Sequence, residues 1–171
     1  MQDNKSVTKW LHLSKEKNDP VAQYNLGLIY AEGNGVPENH PESMKWHKLS
    51  AEQGNAKAQS SLGVIYANGQ GVQQNYVEAI KWFISAAKQE DAHGQYNLGK
   101  MYSNGQGVAQ NHKEAFKWYL LAGKHGDTKS QSILGSMYAE GSGVSKSYKA
   151  SIRWYMRSAE QGNAEAQSSL G

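Results

Sequence analysis

A chain of 171 residues with a formal charge of +3 is long enough to close a core, and its lysines are interleaved with acids instead of forming the basic stripe that nucleic acid binding uses. It contains no cysteine, which excludes disulfides, thiolate zinc sites and cysteine nucleophiles. Its apolar runs are a few residues long against the roughly 20 that a bilayer span needs, so the chain reads as soluble, with no membrane insertion.

The start, Met1-Gln2-Asp3-Asn4-Lys5, carries no apolar signal segment. The expected compartment is therefore the cytoplasm as the sequence stands, or the periplasm or exterior had a leader been removed. From Lys5 to Lys17 the chain reads as one helix around Trp10, and that tryptophan opens a series: Trp10, Trp46, Trp82, Trp118 and Trp154 stand 36 residues apart. The same step links Leu26-Gly27, Leu62-Gly63, Leu98-Gly99, Leu134-Gly135 and Leu170-Gly171, as well as Tyr30, Tyr66, Tyr102 and Tyr138.

The next element, helix A of the unit, is expected over 19–32, with copies at 55–68, 91–104 and 127–140. Ala22, Leu26, Ile29, Tyr30 and Gly33 fall on one helical face. Asp19, Asn55, Asp91, Asp127 and Asn163 stand in register as N-caps, with Pro20 at the first helical position. Then come Gly33-x-Gly35-Val36 and its copies at 69–72, 105–108 and 141–144. They lack the further glycine or lysine of nucleotide motifs and read as tight turns with glycine at positive φ.

Helix B follows, with Ser43, Trp46, His47, Ser50 and Ala51 on one face. Asn39 with Glu42, Asn75 with Glu78 and Asn111 with Glu114 have capping-box spacing, while Ser147 followed by Ala150 keeps only the cap. Gly54, Gly126, Gly162 and Asn18 suit a left-handed stop; Glu90 at the same place should cost about 1 kcal/mol or alter the turn. The internal glycines 27, 63, 99, 135 and 171 imply close helix packing. Ten helices are expected, and since no pair buries its stripes alone, units must stack into one all-α, α/α superhelical solenoid over 1–171. Its parts are an incomplete repeat at 1–18 (B helix only), full repeats at 19–54, 55–90, 91–126 and 127–162, and the start of a truncated fifth at 163–171.

The pattern A-x-x-x-L-G-x-x-Y-x-x-G-x-G-V, then A-x-x-W-x-x-x-A-A-x-x-G, resembles the Sel-1-like repeat family, relatives of the tetratricopeptide repeat. Ala58-Leu62-Gly63-Tyr66-Gly69-Gly71-Val72 and Ala79-Trp82-Ala86-Ala87 carry the resemblance in one unit. It implies a superhelix whose concave side, lined by A helices, holds partner proteins, and adaptor roles in signalling, quality control, secretion or bacterial contact with host cells. A cysteine-rich branch is linked to β-lactam binding or hydrolysis, but its paired cysteines are absent here; other members resemble immunity proteins that neutralise a secreted toxic enzyme.

No cofactor or metal is expected, because the six histidines form no H-E-x-x-H or other close ligand spacing. His47 occupies the position of Phe83, Tyr119 and Tyr155 and reads as a packed side chain. No unit shows a nucleophile, base and orienting group together, so the chain reads as a binding scaffold for an unidentified protein or peptide, not an enzyme. Variable A-helix positions carry the candidate contacts: Tyr24, Asn25, Leu28, Lys57, Ser61, Val64, His93, Tyr96, Asn97, Lys100, Lys129 and Ile133. Tyr24 and Tyr96 are expected to anchor the partner from outside the buried stripe. The unpaired terminal helices suggest weak head-to-tail self-association.

Overall fold

The computed structural model describes residues 4–170, which form ten helices and no strand. In order these are α1 (Asn4–Glu16), α2 (Pro20–Glu32), α3 (His40–Glu52), α4 (Ala56–Asn68), α5 (Tyr76–Ala87), α6 (Ala92–Asn104), α7 (His112–Lys124), α8 (Thr128–Glu140), α9 (Tyr148–Glu160) and α10 (Ala164–Leu170). Even-numbered helices through α8 end at the expected A-helix boundaries. Gly171, the last glycine of the repeated pair, lies outside the described residues. The chain gathers into two compact units, Met1–Gln89 and Glu90–Gly171, dividing at the junction between the second and third full repeats.

In the first unit α2 packs on α3 and α4 on α5, with α3 against α4 and α1 against α2. In the second, α6 packs on α7 and α8 on α9, with α7 against α8 and α9 against α10. Each A helix thus lies between its own B helix and the preceding one wherever both belong to the same unit. Leu26, Leu62, Leu98 and Leu134 are completely buried on the A helices. Full burial of such a side chain contributes about 1.5–3 kcal/mol. Apolar clusters follow, among them Val7, Leu26 and Trp46; Ala51, Ala58 and Leu62; and Ala115, Tyr119, Leu134, Met137 and Trp154.

The caps form as their spacing predicts. Asp19, Asn55, Asp91 and Asp127 each accept the backbone N–H three residues on, from Ala22, Ala58, Gly94 and Ser130 at 2.6–3.1 Å. The capping boxes of the B helices are only half made. Asn39, Asn75 and Asn111 accept from the N–H of Glu42, Glu78 and Glu114, but the glutamates pair forward with Lys45, Lys81 and Lys117 instead of reaching back. The cap N–H groups have a better partner: those of Asn39, Asn75 and Asn111 donate to the carbonyls of Tyr30, Tyr66 and Tyr102 at 2.8 Å, closing each A-to-B turn.

Gly71 and Gly143 show a second reason for the turn glycines besides their positive φ. A Cβ at Gly71 would meet the backbone of His40 at 2.7 Å, and one at Gly143 the carbonyl oxygen of His112 at 2.1 Å. The turn therefore lies directly on the start of the preceding B helix. Glu90 takes a left-handed φ of 62°, so the chain keeps the turn and bears the cost of a side chain there.

Candidate peptide-binding surface

The repeat fixes which A-helix positions face the core and leaves others to vary. His93, at the second position of α6, is exposed, as are Lys100 on α6, Lys129 at the second position of α8 and Lys57 on α4. Asn25, Leu28, Ser61, Val64, Tyr96 and Asn97 are half-buried. Ile133 is also half-buried and packs on the cluster around Leu134 and Trp154, which makes it more a core residue than a contact.

The two tyrosines expected to stand outside the core lie against it. Tyr24 is half-buried over Ala51, Ala58 and Leu62, with its ring tilted 57° against His47 at 5.5 Å. Tyr96 sits beside the cluster of Ala115, Tyr119 and Leu134, its ring 6.0 Å from that of Tyr119. Burial, and then the nearby Asp127 carboxylate, raise the Tyr96 pKa above the usual phenol range. Each half-buried ring bridges an A helix to its B helix, so truncating both would lower stability as well as change the surface.

Within the second unit, α6, the α7–α8 turn and α8 enclose a cleft of about 600 Å³. Ala92, His93, Tyr96 and Asn97 of α6, His125, Gly126 and Asp127 of the turn, and Thr128 and Lys129 of α8 line it. Four of the twelve predicted residues, His93, Tyr96, Asn97 and Lys129, meet there. His125 and Asp127 join them from the inter-helix turn; the sequence marks Asp127 as a helix cap and gives His125 no role.

Another set of residues escaped the sequence reading altogether. Gln23, Gln59, Gln95 and Gln131 are buried on the otherwise apolar face of the A helices. Gln59 Nε2 donates to the Ala51 carbonyl at 3.1 Å and Gln131 Nε2 to that of Gly123 at 3.0 Å, so each ties an A helix to the end of the preceding B helix. Their Oε1 atoms accept from Gln89 and Gln161, just past the end of the B helix of the same repeat, at 2.8 Å. The 36-residue recurrence of glutamine was a legible signal for a structural role.

His47 is packed in the core, as its position predicts. It is 2% exposed, its Nδ1 has no hydrogen-bond partner, and burial lowers its pKa to about 4. Among the described residues, no group of three or more His, Asp or Glu side chains is placed to hold a metal ion.

The Sel1 repeat matches four consecutive segments of the chain, residues 20–55, 56–91, 92–127 and 128–163. The chain belongs to the Sel1 repeat family. A Sel1 repeat protein from Oxalobacter formigenes is 32% identical, with a TM-score of 0.86 over 96% of this chain and 73% of that one. A protective antigen present in uropathogenic Escherichia coli strains, which displays an SLR fold, is 37% identical with a TM-score of 0.86, and this chain spans 39% of its length. Helicobacter pylori cysteine rich protein B, at 23% identity and a TM-score of 0.59, shares the Sel1 fold. Among curated proteins there is no match. Among the described residues no Sel1 helix is long and apolar enough to cross a membrane.

Proposed function

We propose that the chain is a protein- or peptide-binding scaffold whose contacts come from the exposed positions of the A helices, with binding as its whole activity and no catalysed step. The observation that carries this reading is the cleft on the second unit. Besides Tyr96, which packs on the core, its walls carry positions that the core leaves free: His93 stands where the other full repeats have Val21, Lys57 and Lys129, and Asn97, shared with Asn25, is replaced by Ser61 and Ile133 in the other two. The scaffold is repeated; the wall chemistry is individual.

A hydrolytic reading fares worse against the same geometry. The hydroxyl in the cleft, that of Thr128, donates to Gln161 Oε1 at 3.2 Å, and His125 Nδ1 is bonded to Gln95 Oε1 at 2.9 Å. Neither imidazole is paired with that hydroxyl as a base would be. The immunity-protein reading is a special case of binding and makes the same demand on the surface.

The test is affinity capture with the full chain against a variant carrying His93→Ala, Asn97→Ala and Lys129→Ala. Exposed and half-exposed substitutions of this kind change stability little, so the variant should melt with the parent while capturing the same partner at least tenfold less. Equal capture by both would remove the cleft from the contact surface.

A further inference from the structure

We propose that the cleft between α6 and α8 is a seat for a carboxylate carried on a peptide chain. The inference rests on the scaffold reading above and adds the chemistry of what is held. Lys129 and His93 both line the cleft, with His125 beside them. The Lys129 ammonium and the His93 ring N–H are hydrogen-bond donors suited to an anion, and a charge-assisted bond to a carboxylate is about twice as strong as a neutral one.

The one carboxylate in the lining, Asp127, is committed to the helix it caps, where its Oδ1 accepts the Ser130 N–H at 2.6 Å. Its negative charge repels a second carboxylate, so the incoming one is assigned to His93 and Lys129. The amide of Asn97 bonds back along its own helix, Nδ2 donating to the His93 carbonyl at 2.9 Å, which leaves its oxygen for a peptide N–H.

His125 is oriented by the repeat itself. In the three other full repeats the corresponding residue is a glutamine whose Nε2 donates to the buried glutamine oxygen, as Gln53 does to Gln23, Gln89 to Gln59 and Gln161 to Gln131. His125 makes the same bond with Nδ1, so Nδ1 is the donor and Nε2 of the neutral ring is an acceptor left for a peptide N–H beside the carboxylate. The first unit offers a natural contrast: the positions equivalent to His93 and His125 are Val21 and Gln53, which leaves Lys57 as the one cation of that set.

The test uses the full chain, labelled for amide NMR, and three hexapeptides: one with two central glutamates and both ends blocked, its glutamine twin, and the glutamine twin with a free C-terminal carboxylate. The glutamate peptide should shift the amides of Tyr96, Asn97, Thr128 and Lys129 and saturate, with the blocked glutamine twin at least tenfold weaker. Binding by the third peptide would assign the seat to a chain terminus, and its failure beside a binding glutamate peptide would assign it to acidic side chains; either result supports the proposal. A His93→Val, Lys129→Ala variant that melts with the parent should lose at least tenfold in affinity for the carboxylate peptide. Equal shifts from glutamate and blocked glutamine peptides would overturn the carboxylate seat while leaving peptide binding in place. No shift from any of the three would overturn it too, and the scaffold reading would still be decided separately by the capture experiment.

Discussion

A glycine inside a helix costs about 1 kcal/mol against alanine, yet the A helices carry one at 27, 63, 99 and 135, each beneath a ring of the partner B helix. A Cβ at Gly63 would lie 2.4 Å from the Phe83 ring, and at Gly99 and Gly135 2.7 Å from Tyr119 and Tyr155. Glycine and ring are one packing device. Gly63→Ala should therefore cost about 1–3 kcal/mol by overpacking, and adding Phe83→Leu should recover part of that loss. Urea unfolding of the two single variants and the double would show it; purely additive losses would mean that glycine and ring are not coupled. The reverse argument applies at Glu90, whose φ of 62° suits glycine. Glu90→Gly should gain about 1 kcal/mol, read as a higher urea midpoint at unchanged slope.

Between elements, the buried glutamines do what apolar contacts cannot, because a leucine side chain cannot pair the last carbonyls of a B helix. Gln131 joins three helices, with Nε2 on the Gly123 carbonyl of α7 and Oε1 receiving Gln161 at the end of α9. Gln131→Met keeps nearly the same volume but removes this bond, leaving the Gly123 carbonyl to backbone donors such as the Gly126 N–H at 3.3 Å, and should cost about 1 kcal/mol. Native-state hydrogen exchange should show the loss at the end of α7; unchanged protection there would deny the clamp. Helix bounds and caps were legible at this scale because they depend on neighbours in the chain, as Asp19 and Asn39 illustrate. Tyr24 and Tyr96 were misjudged because helical periodicity separates faces but not the flanks of a face, where a long ring reaches over the adjacent helix. The cleft was legible only as scattered wall positions: His93 and Lys129 come together through the spacing of α6 and α8, and Asp127 and His125 join them from a turn that local chemistry explains as a cap and a stop.

Across the whole molecule, the two compact units carry different residues beneath equivalent A-helix glycines, and this gives them different responses to pH. The first unit has His47, buried neutral with a pKa lowered from 6.5 to about 4, and the second has Tyr119, whose pKa burial raises beyond the ordinary phenol range. For His47 the unfolded chain binds more protons than the folded one between about pH 4 and 6.5. Its contribution is therefore complete above pH 6.5 and is lost as pH falls toward 4, an amount of about 3 kcal/mol at most at 1.36 kcal/mol per unit. For Tyr119 the sign is opposite: the unfolded phenol loses its proton first, so stability is complete below the ordinary phenol pKa of 10 and falls as pH rises above it. Acid should thus loosen the first unit before the second, and alkali the second before the first. Hydrogen exchange resolved along the chain at pH 4.5, 7 and 10.5 would measure both. In a His47→Phe variant the acid loss in the first unit should shrink, since Phe83 shows that a phenylalanine fits over the equivalent glycine, Gly63. Equal loosening of both units at pH 4.5, or an acid profile unchanged by His47→Phe, would place the acid sensitivity elsewhere.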